Sequence, residues 1–184
     1  MSEDVKRMGR ELAYQGTVLK VYKDHMKFSN GNTEDWDFIH HDGAAAVIPV
    51  MDDGKILMVK QYRNALERDT LEIPAGKLDS KAEDRLDAAK RELYEETGYR
   101  AGKYTDLGPL YTTPAFVDEV IEMYLAEELH TEDDGQHLDE DEFLEVEKIP
   151  LAQAVEMAER NEIFDAKTQV LILRAARLVE QGKL

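Results

Sequence analysis

Three carboxylates fall within five residues of the segment KRELYEETGYR, residues 90 to 100. In a helix that turns about 100° per residue, Glu95 lies about 60° to one side of Glu92 and Glu96 about 40° to the other, so all three share one face. Carboxylates on one face repel each other, and acids in the last turn also meet the negative end of the helix dipole. One interpretation is a solvated acidic face. The other is a bound divalent cation, because hard cations prefer clustered carboxylate oxygens.

The surrounding residues predict the helix that carries these carboxylates. Ser80 followed by Glu83 matches a capping box, and Gly98 is suited to a left-handed helix stop. An apolar stripe runs between them, formed by Leu86, Ala89 and Leu93. The helix is therefore predicted over residues 81 to 97.

Strands are predicted on both sides of this helix. Alternation over residues 16 to 28 and 35 to 41, with SNGN between them, predicts an N-terminal hairpin. Two apolar runs within residues 44 to 63, separated by Asp-Asp-Gly, predict a second hairpin, and TLEIPA predicts a short strand. Beyond the helix, strands are predicted at LGPLYTT, DEVIEMYLAEEL and EFLEVEKIP, and amphipathic helices at LAQAVEMAERN and DAKTQVLILRAARLVEQG. The acidic residues 131 to 142 are predicted to form an exposed loop.

Composition excludes several functional classes. The 184 residues carry a net charge of −17, which argues against nucleic acids and anionic membranes as partners. There is no cysteine, so disulfides and thiol chemistry are excluded, and a reducing compartment is favoured. No signal-peptide pattern or apolar run of membrane-spanning length is present. A cytoplasmic protein is expected.

The spacing of nine residues around the helix resembles the signature of the Nudix hydrolases, which cleave a nucleoside diphosphate linked to another group. These residues are Gly76, Glu83, Arg91, Glu92, Leu93, Glu95, Glu96, Gly98 and Tyr99. From Glu83 onward every position matches, whereas six residues instead of the usual five separate Gly76 from Glu83. The extra residue precedes the helix, so it leaves the relative angles of the helical carboxylates unchanged.

The resemblance implies a fold and a metal site. The expected fold is α+β, a Nudix α/β/α sandwich with a mixed sheet in residues 43–184 and an N-terminal β-hairpin extension in residues 1–42. Glu92 and Glu96 are expected to bind Mg²⁺ or Mn²⁺ directly, with Glu95 as a further or water-mediated ligand and the Ala75 carbonyl completing the set. Arg91 is expected to pair with Glu83, although a helix-capping role for Glu83 stays open.

A second set of residues resembles the ADP-ribose pyrophosphatase branch of the family. Pro114 follows Tyr99 by fifteen residues, and the segments KQYR, LEIPAGKL, YTTPAFVDE and LDEDEFLEV also resemble that branch. The implied activity is Mg²⁺-dependent hydrolysis of ADP-ribose to AMP and ribose 5-phosphate. The alternatives are hydrolysis of other nucleoside diphosphate sugars or dinucleotides, and a Nudix-like sensor that binds its ligand without cleaving it.

The branch resemblance also implies roles for individual residues. Arg63 is expected to hold a phosphate, and Trp36 to stack on adenine or simply to pack. Residues expected to line the substrate cleft are Lys77, Thr113, Pro114, Ala115 and Glu119. In the acidic loop, Glu140 is expected to be the catalytic base and Glu142 a metal ligand, with Glu95 as the alternative base and a solvated, disordered loop as the competing interpretation. A homodimer formed through the N-terminal strands is expected.

Overall fold

The computed structural model describes residues 4–17, 19–80, 82–131, 135–138 and 143–184. The chain divides into two compact units. The N-terminal unit comprises Met1–Gly43 and Tyr111–Val120, and the main unit comprises Ala44–Leu110 and Ile121–Leu184. No helix in the described part of the chain is long and apolar enough to cross a membrane.

The N-terminal unit contains an antiparallel sheet with the strand order β1-β2-β3. Its strands are β1 (Val5–Gln15), β2 (Lys20–Phe28) and β3 (Thr33–His40). The last two form the predicted hairpin, with Asp24 opposite Trp36. Strand β1 is an addition to the prediction. Exposed side chains lie on both of its faces, so no apolar alternation marks it in the sequence.

A buried aspartate, Asp24, ties β1 to β2. Its carboxylate accepts hydrogen bonds from Arg10 Nε at 2.5 Å and from Arg10 Nη2 at 2.7 Å. The ring of Phe38 lies 3.6 Å from the guanidinium carbon of Arg10. The hydrogen bond from Arg10 lowers the pKa of Asp24, although burial acts in the opposite direction. A charged pair stacked on an aromatic ring therefore connects β2 to β1, a strand that has no buried residues of its own.

The main unit contains two sheets, with the strand orders β7-β4-β9-β8 and β10-β5-β6. The strands are β4 (Ala44–Pro49), β5 (Lys55–Arg63), β6 (Arg68–Glu72), β7 (Ala75–Lys77), β8 (Tyr99–Tyr111), β9 (Val120–Thr131) and β10 (Glu145–Pro150). Strand β4 pairs parallel with β9 and antiparallel with β7. The sheet is therefore mixed, as predicted.

The Asp-Asp-Gly turn forms, but the predicted hairpin around it is wrong because its two strands belong to different sheets. The amide of Gly54 donates to the carbonyl of Met51 at 2.9 Å and closes the turn. Strand β4 already has β7 and β9 as neighbours, so both of its edges are occupied, and β5 pairs with β6 and β10 instead. A bridge between Val50 and Ile56 connects the chain on either side of the turn.

The helix that carries Glu92, Glu95 and Glu96, α1 (Arg85–Thr97), begins four residues later than predicted. The predicted capping box does not form. Asp84 is the N-cap, and its carboxylate accepts hydrogen bonds from two amides of the first turn. The carboxylate of Glu83 instead accepts hydrogen bonds from Arg91 Nε at 3.1 Å and from the amide of Asp79 at 2.7 Å. The predicted end of the helix is confirmed, because Gly98 has a φ of 71° in the left-handed region.

Helices on both faces of the four-stranded sheet complete the predicted α/β/α sandwich. Helices α2 (Leu151–Glu159) and α3 (Ala166–Glu180) contribute to one core and α1 to the other. The central strand shows this division, since Ala46 and Ile48 pack in the α2 and α3 core while Val47 packs in the α1 core. Successive residues of a strand face opposite sides of its sheet, so one buried strand serves both cores.

Candidate active site

The carboxylates predicted to share one face of α1 lie on its buried side or at its edge. Glu92 is 8% exposed and Glu96 is 4% exposed, which places both among the core residues, whereas Glu95 is partly exposed. Burial of an ionised carboxylate costs several kcal/mol unless hydrogen bonds or opposite charges compensate for the lost water. The residues around α1 provide such partners.

The short strand β7 faces these carboxylates. The amide of Ala75 donates to Glu96 Oε2 at 3.2 Å. A Cβ atom at Gly76 would lie 2.1 Å from Glu92 Oε1, so glycine leaves the space that this carboxylate occupies. Lys77, predicted to contact substrate, ends the strand and is exposed. The structure therefore brings together the predicted metal ligands Ala75, Glu92 and Glu96.

Arg91 pairs with four carboxylates, two on α1 and two on the chain that precedes it. Its Nε lies 3.1 Å from Glu83 and 3.4 Å from Asp79, and its Nη1 lies 2.7 Å from Glu92 and 3.0 Å from Glu95. One positive and four negative charges give these five side chains a net charge of −3. Burial disfavours the charged guanidinium, but the carboxylates outweigh burial and raise the pKa of Arg91. The predicted pair with Glu83 is present despite the extra residue in the preceding loop.

The donors at this site fit a divalent cation in chemistry. Among the described residues, no three acidic or histidine side chains converge as metal ligands. Glu92 and Glu95 face the guanidinium of Arg91, and Glu96 faces the amide of Ala75. Carboxylate and backbone carbonyl oxygens are nevertheless the ligands that Mg²⁺ prefers. The net negative charge around Arg91 favours a cation in the same region.

The predicted phosphate ligand Arg63 is bound to a buried carboxylate. Its Nε and Nη2 each donate to one oxygen of Glu72 at 2.7 Å. Glu72 is 3% exposed and also accepts from Thr70 Oγ1 at 2.6 Å and Lys167 Nζ at 2.5 Å. Burial would raise the pKa of Glu72, but the hydrogen bonds from Arg63 and Lys167 outweigh it and lower this pKa to about 2. Glu72 thus occupies the Nε and Nη2 side of the Arg63 guanidinium, and a phosphate would have to bind Nη1.

Glu72 and Lys167 were not predicted as site residues. Glu72 lies within LEIPAGKL, where an acid between two apolar residues of a short strand is a signal for a buried charged pair. Its partner Lys167 lies 95 residues further along the chain. No local pattern connects residues at that separation.

The remaining predicted substrate residues lie in the N-terminal unit. Trp36 on β3 is 47% exposed and contacts Phe28 edge to face, with 5.8 Å between ring centroids. Four others lie on the segment between β8 and β9, namely Thr113, Pro114, Ala115 and Glu119. The Glu119 carboxylate accepts from Thr112 Oγ1 at 2.7 Å and lies 3.5 Å from His41 Nε2. This segment is therefore held by its own hydrogen bonds and by β3.

The predicted base Glu140 and the predicted metal ligand Glu142 lie outside the described residues, so their roles stay predictions. Residues 135–138 of the same loop are described and lie against the end of α1. The amide of His137 donates to the carbonyl of Glu95 at 2.8 Å, and the neighbouring glutamine side chain donates to the next carbonyl at 2.6 Å. These bonds satisfy carbonyls that a helix end leaves without partners.

Comparison with known proteins agrees with this arrangement. The NUDIX domain matches residues 40–173, and the chain therefore belongs to the Nudix family. It is 44% identical to the ADP-ribose pyrophosphatase of Bacillus subtilis (strain 168), over 93% of this chain and 92% of that protein. It is 39% identical to the methanol dehydrogenase activator of Bacillus methanolicus, over 91% of this chain and 90% of that protein. The resemblance to the ADP-ribose pyrophosphatase branch is confirmed.

A solved structure described as an ADP compounds hydrolase has the same fold. Its TM-score is 0.85, over 99% of this chain and 98% of that chain, at 24% sequence identity. At that identity the match establishes the fold alone. Nudix hydrolases generally need a divalent metal ion, which agrees with the carboxylate donors on α1.

Proposed function

We propose that this chain hydrolyses the pyrophosphate bond of ADP-ribose to give AMP and ribose 5-phosphate, with Mg²⁺ as cofactor and Mn²⁺ as a substitute. The observation that carries the proposal is the burial of Glu92 and Glu96 against the backbone of Ala75 and Gly76. This arrangement collects hard oxygen donors close in sequence to Lys77, which is exposed at the end of β7. The choice of substrate is supported by the 44% identity to an ADP-ribose pyrophosphatase.

The cation would be held by Glu92, Glu96 and the Ala75 carbonyl, with Glu95 and Glu142 as further ligands. When bound, a divalent ion neutralises pyrophosphate charge and makes a water more nucleophilic. The buried carboxylates have little rotational freedom, because the main chain of β7 packs against them. The protein therefore positions its ligands before substrate arrives.

The reaction exchanges one phosphorus–oxygen bond for another. The oxygen of a water attacks one phosphorus, the bond from that phosphorus to the bridging oxygen breaks, and the second phosphate leaves with its ribose. The water proton passes to a carboxylate base, for which we assign Glu140. Glu95 is the alternative, but one of its oxygens already accepts a hydrogen bond from Arg91 at 3.0 Å.

The remaining substrate contacts are assigned as the resemblance to the ADP-ribose pyrophosphatase branch implies. Arg63 binds a phosphate through the nitrogen that Glu72 leaves unused, and Trp36 stacks on adenine, which its exposure permits. Lys77 and the β8–β9 segment contact the terminal ribose through Thr113, Pro114, Ala115 and Glu119. Cytoplasmic location stays a prediction from the sequence.

We also infer a homodimer formed through the N-terminal extension, residues 1–42. Several large apolar side chains there are exposed, namely Met8, Leu12, Tyr14, Leu19 and Trp36. Exposed apolar side chains on a three-stranded sheet favour contact with another surface. Sedimentation at low micromolar concentration should show a dimer. A stable and fully active monomer would remove this inference.

The proposed activity is tested by product analysis with ADP-ribose, ADP-glucose, GDP-mannose and FAD, each with and without Mg²⁺. ADP-ribose should give the highest kcat/KM, and AMP should be a product. Glu96→Gln should lower kcat by about a hundredfold or more, because the cation supplies several kcal/mol of transition-state stabilisation. The control is Glu159→Gln, an exposed position on α2 with the same change of charge. Wild-type turnover by Glu96→Gln at saturating Mg²⁺ would contradict the metal site.

A second candidate function is activation of a partner alcohol dehydrogenase. The 39% identity to a methanol dehydrogenase activator favours it. The rate of methanol oxidation by such a dehydrogenase should then rise when the chain is added. If Glu96→Gln abolishes that rise, activation depends on hydrolysis. If the rise persists in the variant, activation depends on binding alone.

A further inference from the structure

The first turn of α3 contacts the residues that precede β7. Asp165 caps this helix, because its carboxylate accepts from the Thr168 amide at 2.9 Å and from the Thr168 hydroxyl at 2.6 Å. The same hydroxyl oxygen accepts a hydrogen bond from the amide of Ile73 at 3.0 Å. Thr168 is fully buried and Ile73 is 1% exposed. One hydroxyl therefore links the helix cap to the backbone of the buried segment between β6 and β7.

A second contact of the same kind lies next to the first. Lys167, the residue before Thr168, contacts Glu72, the residue before Ile73. Its Nζ lies 2.5 Å from Glu72 Oε2 and 3.0 Å from Asp165 Oδ2. The side chain is 12% exposed, so this ion pair is largely removed from water. Ion pairs and hydrogen bonds in such an environment are stronger and more directional than on the surface. Two consecutive α3 residues thus hold two consecutive residues of the chain before β7.

The held residues lead directly to the site. After Glu72 and Ile73 come Pro74, whose ring restricts its φ, and then Ala75, whose amide donates to Glu96 at 3.2 Å. A shift of the backbone at Ile73 is therefore passed on to Ala75 with few rotatable bonds in between. Hydrogen bonds to the groups behind metal ligands commonly control metal affinity.

We propose that Thr168 and Lys167 are positioning residues for the divalent metal site, acting through the Glu72–Ile73 backbone on Ala75 and Glu96. This inference rests on the proposed function. It assigns a role in the site to the start of α3, an element more than 65 residues away in sequence from α1. A purely structural role would instead make these contacts matter for folding and leave metal affinity unchanged.

The test compares Thr168→Val with Thr168→Ser. Valine keeps the shape but removes the hydroxyl, so the Ile73 amide loses its acceptor, whereas serine keeps the hydroxyl. The matched control is Ile172→Val, a fully buried position of the same helix, where the substitution removes one methylene group and no hydrogen-bonding group. Mn²⁺ binding is measured by electron paramagnetic resonance without substrate, together with Tm and ADP-ribose turnover.

Thr168→Val should weaken Mn²⁺ binding by about tenfold, as is typical for groups that hold metal ligands in place. Thr168→Ser should restore most of that loss, and Ile172→Val should bind Mn²⁺ as the wild type does despite a lower Tm. If Thr168→Val does not fold, Lys167→Met is tested in its place, and it should also weaken Mn²⁺ binding by about tenfold. Wild-type Mn²⁺ affinity in the folded variant would overturn the inference.

The same measurements separate this inference from the proposed function. A wild-type protein that binds Mn²⁺ but does not cleave ADP-ribose would contradict the proposed substrate, while the Thr168→Val comparison would still decide the positioning role. A wild-type protein that binds no Mn²⁺ would overturn both the positioning role and the metal part of the proposed function.

Discussion

The buried carboxylate of Glu72 should make the stability of the main unit depend on pH in a specific way. Two cations and a hydroxyl hold this carboxylate, and its pKa is lowered from 4.5 to about 2. A tenfold change in an equilibrium is worth about 1.4 kcal/mol, so the ionised form contributes about 3 kcal/mol to folding at neutral pH. Because the folded pKa is the lower one, this stability is present above pH 4.5 and is lost as pH falls through 2.

The perturbation is Glu72→Gln, which cannot titrate. At pH 3 the unfolded chain is mostly protonated at Glu72 while the folded chain is mostly ionised, so about 2 kcal/mol of the contribution is already lost. Wild type and Glu72→Gln differ in their free energy of unfolding. This difference should therefore be about 2 kcal/mol smaller at pH 3 than at pH 7. Other groups titrate in both proteins and cancel in this difference.

The assay is urea unfolding followed by circular dichroism at pH 7, 4 and 3. Circular dichroism is the appropriate probe because the three helices belong to the main unit, whereas Trp36 belongs to the N-terminal unit and its fluorescence would report on that unit. Glu159→Gln at an exposed position of α2 is the control, because it makes the same change of side chain away from Glu72. If wild type and Glu72→Gln differ in free energy of unfolding by the same amount at pH 7 and at pH 3, the reasoning is refuted.

Three further predictions concern the site. Gly76→Ala should weaken Mn²⁺ binding by about tenfold or more in a direct titration, because the added methyl group would occupy the position of the Glu92 carboxylate. Unchanged affinity would show that Glu92 is not a ligand. Trp36→Ala should raise the KM for ADP-ribose by the equivalent of about 1–3 kcal/mol, and AMP should alter the Trp36 fluorescence of the wild type. An unchanged KM together with unaltered emission would assign Trp36 to packing. Glu140→Gln should lower kcat strongly with little change in KM. If Glu140→Gln keeps the wild-type kcat while Glu95→Gln loses it, the catalytic base lies on the helix instead.

Local periodicity was sufficient to predict how the acidic side chains are arranged on α1. Glu92, Glu95 and Glu96 share a face because their spacing and the helix repeat fix their angles, and the glycine stop at Gly98 was also predictable from the sequence. The helix start was not, because Ser80 and Asp84 both have side chains suited to capping. A capping box at Ser80 would need the Glu83 carboxylate at the Ser80 amide, but that carboxylate contacts Arg91 and the amide of Asp79.

Pairing between distant segments could not be predicted in the same way. The turn after β4 has the residues of a hairpin turn, yet β4 and β5 do not pair as a hairpin. Strand β4 lies between β7 and β9 in the sheet, so neither of its edges is free for β5. The same limit applies to Lys167 and Thr168. Their types and positions are ordinary for the first turn of a helix, and their importance arises from the strand end that the fold brings to them.

The site also shows why a signature helix needs an arginine among its acids. The carboxylates that suit a divalent cation repel each other, and two of them are buried, so without compensation they would oppose folding. Arg91 offsets this by pairing with four carboxylates, while the Ala75 amide serves Glu96. Both partners contact carboxylate oxygens that are also suited to binding a hard cation. Stability and the proposed metal binding therefore depend on the same few contacts, and the contacts of α3 with Glu72 and Ile73 extend that dependence into the core.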